Sequence, residues 1–474
     1  MTARTPTTDF RPTVALVVPH GFTARLFLRS TLLPALVART ARVGIFAPPS
    51  ALAQLQDELG DARPRCGSGD ARFAFYPLHV EERRRDVAAS FLRLFFADWK
   101  LTPTRQIRER EEWRRNPWRR VLWPAHRQVG RSARLRHAWY RVENRLLPDP
   151  YHAAAFRDLR PDVVVVPTVG VLPSDIRLIR RARAEGVPAV TFTQGWDNLS
   201  SKTIVGARPD RLIVWNEHMA DEAVSLHGFA RDRIAVTGAP HFDPYVLRDG
   251  WVSRAEYLRS LGLDPRKRTV VYATSPKRYF TESARVSEFL VRAAERGDLG
   301  PAVQVVIRVH PQVVQGADAE DLAAYEQFRG RAYLDIPRGA TGLAADYTPE
   351  GIRHVAQLID ASDVTINVAS SFTIDAAIFD RPIVNLRFDG TPRPYLQSVR
   401  RQYDSDHYRQ VLATGAVRLA DSPSDLLAEV RRYLADPALE RAERARLVRE
   451  LCYRVDGHSG ERAAEAIIAA RRPR

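Results

Sequence analysis

The 474-residue sequence predicts an α/β fold in which two parallel-sheet domains face each other across a cleft, with a helical, basic insertion in the first. Three observations lead there. Short apolar runs of strand length alternate with longer helix-period stretches, the pattern of parallel sheets covered by crossover helices. The runs form two series separated by a stretch rich in Pro and Gly, and inside the first series the rhythm gives way to a segment dense in Arg and Trp. At this length, with 45% hydrophobic residues, the chain exceeds what one core usually organises, so two domains are expected.

The first series comprises Thr13–Val18, Val43–Ala47, Phe73–Tyr76, Val163–Val166, Ala189–Thr193, Leu212–Trp215 and Ile234–Thr237. Helices are predicted between them, among them Thr23–Arg39 and Ser174–Glu185, the latter stopped by Gly186 and Pro188. These elements read as one Rossmann-like domain over residues 1–245. A linker over 246–265 follows, where Pro244, Gly250, Gly262 and Pro265 cluster. The second series, Thr269–Ala273, Val303–Val309, Val364–Val368 and Pro382–Leu386, reads as a second Rossmann-like domain over 266–474 that ends in helices. The insertion, about 81–147, interleaves Trp99, Trp113, Trp118, Trp123 and Trp139 with arginines such as Arg114, Arg115, Arg119 and Arg120.

Composition narrows the function. The 72 Lys+Arg against 56 Asp+Glu give a formal charge of +16, which attracts nucleotide phosphates, acidic glycans, anionic lipid or nucleic acid without choosing among them. Genomic base composition produces the same excess of Arg over Lys with no functional demand. Cys66 and Cys452 lie far apart, with no CxxC or Cys/His cluster, so neither a disulfide framework nor a structural zinc site is expected. The first apolar run is too short for a signal-peptide core, and no stretch has the eighteen or so uninterrupted apolar residues of a spanning helix. A cytoplasmic protein is expected, peripheral at most to the inner face of the membrane.

Candidate site residues sit where strands end, because open α/β sheets bind ligands at the carboxyl ends of their strands. His310 follows such a strand and is followed by Pro311; its imidazolium either offsets or protonates a departing phosphate, or it is simply a turn histidine. Ser370 and Ser371 open a helix after another strand, where hydroxyls and free backbone N–H groups suit an anion, or where a serine is an ordinary N-cap. Thr274, Ser275, Lys277 and Arg278 follow the first strand of the second domain and cover the same phosphates, unless the loop is only solvated and basic. In the first domain Asp197, in the polar run Thr193–Asn198, is a candidate base for an acceptor hydroxyl, or else a turn residue. Gly238, Pro240, His241 and Asp243 read as a hinge, with His241 or Asp243 at the cleft edge.

Two Rossmann-like domains, Gly-Ala-Pro-x-Phe-Asp at 238–243, His310-Pro311 and Ser-Ser-x-x-x-Asp at 370–375 together resemble the GT-B glycosyltransferases. The chain is most similar to the branch holding the CDP-glycerol glycerophosphotransferases and the bacterial capsule and lipopolysaccharide transferases. The resemblance covers about 155–460. It implies donor-phosphate contacts for His310, Ser370 and Ser371, places Asp375 at the same motif, and implies an acidic or histidine base in the first domain. There Gln194-Gly-Trp-Asp197 departs from the glycerophosphotransferase histidine motif and from the acidic-acidic-Gly motif of bacterial sialyltransferases. The implied activity is transfer of a sugar or polyol-phosphate group from a nucleotide-activated donor to a glycan or lipid-linked acceptor. No cofactor is implied, no bound metal is needed, and no Asp-x-Asp pair is read as a metal loop.

Two other readings share these features. The same architecture is similar to the UDP-N-acetylglucosamine 2-epimerases, which need several acidic residues around the sugar. A non-catalytic membrane or nucleic-acid binder would use the Arg/Trp segment alone. Without a nucleic-acid module in the sequence no nucleic-acid partner is expected, whereas an anionic membrane surface presenting the acceptor accounts for both parts of the chain.

Overall fold

The computed structural model describes residues 11–60, 72–98, 101–202, 205–314, 322–337 and 347–472, except the side chains of 112–114. Cys66 and Trp99 therefore lie outside the described residues, as do the side chains of Trp113 and Arg114.

Two all-parallel sheets carry the fold. The first contains β1 (Thr13–Val17), β2 (Arg42–Ala47), β3 (Phe73–Pro77), β4 (Val163–Val166), β5 (Ala189–Phe192), β6 (Arg211–Val214) and β7 (Ile234–Val236), in the order β3-β2-β1-β4-β5-β6-β7. The second contains β8 (Arg268–Ala273), β9 (Val303–Arg308), β10 (Tyr333–Asp335), β11 (Val364–Asn367), β12 (Ile383–Leu386) and β13 (Arg418–Ala420), in the order β10-β9-β8-β11-β12-β13. Each sheet grows one way from its first strand and then reverses, so each has a switch point: β1/β4 in one and β8/β11 in the other. The central strands are valine-rich and buried, because helices cover both faces of a parallel sheet.

All eleven strands expected from the apolar runs are present, within a residue or two at their ends. Two more, β10 and β13, were not expected. Each has three residues and sits at an edge, where only one neighbour demands apolar side chains. The single helix expected over Thr23–Arg39 is corrected to two, Gly21–Phe27 and Leu32–Arg39. The break falls at Ser30, whose hydroxyl donates to the Leu26 carbonyl and accepts from the Leu32 N–H, so a side chain replaces the helical ladder. Among the described residues the insertion forms four helices, Arg84–Phe96, Pro103–Arg115, Pro117–Val129 and Ala133–Leu146.

The join between the sheets is heavily packed. An aromatic chain runs from Trp215 at the end of β6 through Phe242 and Tyr245 to Phe379 and Trp251, with ring centroids 5.0–5.7 Å apart. The helix Ser459–Ile468 near the C-terminus returns to the first sheet. Its Gly460 N–H donates to Asp243 at 3.0 Å, and Arg462 donates to the Thr237 carbonyl at 2.9 Å. The approach is close enough that a Cβ on Gly460 would stand 2.3 Å from the Thr31 backbone, while Gly238 adopts φ +78° with Ser459 Oγ 2.7 Å from its Cβ position.

Gly460→Ala is therefore expected to destabilise the protein by about 1–3 kcal/mol, because backbone and not a flexible side chain must move. Chemical denaturation measures this; an unchanged midpoint would show that the returning helix is not held at this contact.

Candidate functional site

β9, β8 and β11 are neighbours in the second sheet, so their carboxyl ends deliver Thr274 and Ser275, His310, and Ser370 and Ser371 to one edge at the switch point. There they line a cavity of about 400 Å³ together with Arg278, Arg308 and Asp375. Trp196 and Asp197 face them from the first-domain loop after β5, Arg108 from the insertion helix Pro103–Arg115, and His407 from the helix Asp406–Ala413. Side chains from both domains and the insertion thus converge on one cleft, as the position of a switch point requires.

The strand tips are tied together. The Thr274 N–H donates to the Arg308 carbonyl, and the Thr274 hydroxyl accepts the His310 N–H at 2.9 Å. Ser283 braces the next residue, accepting from the Ser275 N–H and donating to its carbonyl. Arg308 is buried and paired with Asp335, which also accepts from His354 Nε2 at 2.9 Å. Burial works against the Asp335 carboxylate, but Arg308 and His354 hold it down at about 2. The guanidinium is thereby fixed as a positive charge beneath the cavity floor. Ser371 is the N-cap of the helix Phe372–Ile378, yet its side chain makes no capping bond.

His310 Nδ1 accepts the Gln312 N–H at 3.1 Å, which puts the proton of the neutral ring on Nε2. Burial, then the charges of Arg308 and Arg278, lower its pKa to about 4. This corrects the expectation of an imidazolium near neutrality. In this cluster of cations the ring is neutral and offers a hydrogen bond, and an arriving phosphate favours its charged form.

Asp197 N-caps the four-residue helix Asn198–Ser201, and its carboxylate accepts from the Ser201 hydroxyl at 2.8 Å. Burial would raise its pKa, but His407, Lys202 and Arg108 outweigh that and hold it below the ordinary carboxylate range. The loop around it is fixed from behind, where Trp215 Nε1 donates to the Thr193 carbonyl and the Thr23 hydroxyl donates to Gln194. His407 meets Trp196 edge-on at 4.9 Å, and its buried Nδ1 has no partner. Burial lowers its pKa, with Asp197 pulling the other way.

Several expected residues stand elsewhere. Lys277 does not line this cavity; it lines two smaller ones beside it. Asp375 does line it, but its carboxylate accepts from Tyr245 at 2.8 Å and lies 3.8 Å from Arg25, so it is a joint between the domains as much as a wall. Gly238, Pro240, His241 and Asp243 are not at the cleft edge. All four are buried, His241 between Trp215 and Phe242, and Asp243 bonded to Thr31 and Gly460. Their close packing makes this stretch a clamp.

Arg108 and His407 were missed. Neither follows a β-strand, and only folding brings them to the cleft. One Asp-x-Asp sequence does occur, at Asp404-Ser405-Asp406. Asp404 accepts from the Tyr395 hydroxyl and Asp406 from Thr104, so both carboxylates are engaged by protein donors. Among the described residues no three His, Cys, Asp or Glu side chains gather as a metal set.

A sequence profile described as CDP-glycerol:poly(glycerophosphate) glycerophosphotransferase matches residues 193–469, more than half of the chain. The chain belongs to this family. The match to this glycerophosphotransferase family takes in Asp197, His310, Ser370, Ser371 and Asp375, and leaves the insertion outside. No curated protein matches significantly. Solved structures similar in fold include a UDP-GlcNAc 2-epimerase from Neisseria meningitidis bound to UDP-GlcNAc (12% identity, TM-score 0.53, covering 96% of this chain and 100% of that one). Another is a glycosyltransferase from Rickettsia africae (9% identity, TM-score 0.50, covering 97% and 99%). A third is the glycotransferase of kitacinnamycin (14% identity, TM-score 0.50, covering 98% and 100%). These likenesses establish the two-domain GT-B fold.

The sign of the His310 shift sets a pH dependence. An unfolded chain takes up this proton near 6.5, while the folded protein resists until about 4, so the associated stability is complete above pH 6.5 and lost as pH falls toward 4. His20, also lowered to about 4 with burial as the largest cause, adds to it. His310→Gln is expected to flatten this decline, measured as Tm against pH; parallel curves for variant and wild type would show that His310 does not titrate this way.

Proposed function

We propose that the protein transfers a sugar or polyol-phosphate group from a nucleotide-activated donor, first a CDP-activated one, to a glycan or lipid-linked acceptor. The observation that carries this is the meeting of Ser370, Ser371, His310 and Thr274–Ser275 at the switch point of the sheet matched by the family profile. The serine hydroxyls and the His310 Nε2–H would bind the donor phosphates, with Arg308 and Arg278 as counter-charge. Asp197, across the cleft, would take the proton of the acceptor hydroxyl as its oxygen bonds to the transferred group. The bond from that group to the departing nucleotide phosphate breaks in the same event, and its electron pair leaves with that phosphate. The similar 2-epimerases share only the fold, whereas the family profile favours transfer.

The insertion supports a role at the membrane. Among the described residues no helix is long and apolar enough to cross one. Trp118, 80% exposed, Val121, 74% exposed, and Leu122 share one outward face of the helix Pro117–Val129, with exposed Arg120 and Arg127 nearby. Apolar side chains with flanking cations suit anionic lipid headgroups, and the helix would dock the enzyme where a lipid-linked acceptor is presented. The insertion is only partly committed to packing: Trp139 stacks on Phe96, and Arg105 pairs with Glu109.

For the donor site, Ser370→Ala with Ser371→Ala is expected to weaken CDP binding at least tenfold, each phosphate bond contributing about 1.5–3 kcal/mol. Cytidine, lacking phosphates, should bind unchanged; thermal-shift titration measures both. Equal weakening of the two ligands would make the serines structural.

For docking, wild type should sediment with anionic vesicles and far less with neutral ones, and Trp118→Ser with Val121→Ser should abolish the difference. Equal, salt-insensitive behaviour of wild type on both vesicle types, or an unaffected variant, would sink the docking role.

A further inference from the structure

A second cavity, of about 150 Å³, lies between the insertion helix Pro103–Arg115 and the second domain. It shares Arg278 and Tyr279 with the donor cavity but none of His310, Ser370 or Ser371. One wall is Glu111 and Arg115 of the insertion; the other includes Lys277, Arg393 and Arg401. The acidic lining residues are Glu111 and Asp389, so the cations outnumber them.

The ion pairs leave that excess in place. Glu111 is shared between Arg115 and Arg401, the latter at 2.7 Å. Glu282, behind the wall, is shared between Arg393 at 3.0 Å and Arg285 at 3.3 Å. One carboxylate thus serves two guanidinium groups in each case. Arg278 donates to the neutral Gln312 amide. Asp389 is occupied by the Ser398 hydroxyl and the Val399 N–H. The buried Arg393 Nε–H has no partner at all. Five cations against two engaged carboxylates leave the lining net positive, and an oxyanion with several lone pairs is the group that offsets that charge. At about 30 Å³ per water the space holds several waters, enough for one phosphate group.

We infer that this cavity is a second oxyanion subsite, distinct from the donor pocket, that binds a phosphate ester of the acceptor. The inference rests on the reading of the neighbouring cavity as the donor site. The acceptor side is favoured because Glu111 and Arg115 come from the insertion, which lies outside the residues matched by the family profile, and because the cavity shares Arg278 and Tyr279 with the leaving-group end. An acceptor phosphate held here lies beside the donor cavity, whose lining includes Asp197. Because Glu111 already holds Arg115 and Arg401, an entering phosphate competes with it for them. Binding is then salt-sensitive.

The test is calorimetric titration of wild type and of Arg115→Gln with Arg393→Gln, using a synthetic glycerophosphate dimer, inorganic phosphate and CDP as separate probes, the dimer also in the presence of CDP. Arg115→Glu alone, at an exposed position, serves as a second variant should the double one lose stability. Wild type is expected to bind the dimer, the variants to weaken it at least tenfold, and the CDP Kd to change by less than twofold. Parallel loss of dimer and CDP affinity would assign the cavity to the donor. An unaffected dimer, no dimer binding by wild type, or inorganic phosphate binding as tightly as the dimer would each overturn the acceptor subsite. If wild type fails to bind CDP while the dimer binds and is weakened in the variants, the donor reading falls and the anion subsite stands.

Discussion

Arg25, Tyr245 and Asp375 meet beneath the cleft, and the arrangement of the molecule depends on that contact. Arg25 comes from a first-domain helix, Tyr245 from the link between the sheets, and Asp375 from the helix after β11 in the second domain. Arg25 donates to the Tyr245 hydroxyl at 2.6 Å, and that hydroxyl donates to Asp375 at 2.8 Å. In so buried a place each member is costly to leave without the others, so the three together hold the relative placement of the sheets. Burial pushes the Asp375 carboxyl up, and Arg25 and Tyr245 offset this only in part, so it stays above the ordinary carboxylate range.

That joint gives the strand tips their meaning. A parallel sheet brings side chains to its carboxyl edge whatever it faces, and here the edge of β8, β9 and β11 faces Asp197 and Arg108 across about 400 Å³. The proposed transfer needs opposite demands met in one cleft: positive charge and N–H groups for a departing phosphate, and a carboxylate for the incoming hydroxyl. Against the effect of burial, His407, Lys202 and Arg108 hold Asp197 below the ordinary carboxylate range, and Arg308 has its own partner in Asp335.

The insertion connects these parts. Its helix Pro103–Arg115, with Thr102 just before it, is bonded to the first domain through Thr102 and Arg108, which donate to the Ser200 and Ser201 carbonyls, and to the second through Thr104 and Glu111, which meet Asp406 and Arg401. One helix thus spans the cleft, supplies Arg108 to its wall, and leads into the neighbouring helix that turns Trp118 and Val121 outward.

The sequence by itself determined the strands, the α/β class, the helical insertion and the strand-end residues His310, Thr274, Ser275, Ser370 and Ser371. Period and composition are local properties, and the carboxyl end of a buried parallel strand faces a ligand cleft in any such sheet. It did not determine the three-residue edge strands β10 and β13, the break at Ser30, or the clamp role of His241 and Asp243, because these follow from what packs alongside. Nor could it show His310 as neutral: a histidine's pKa depends on burial and on which charges fold around it, here Arg308 and Arg278. Arg108 and His407 reach the cleft from segments far from Asp197 in the chain. Proximity across the cleft is a property of domain packing alone, and only the tertiary structure decided it.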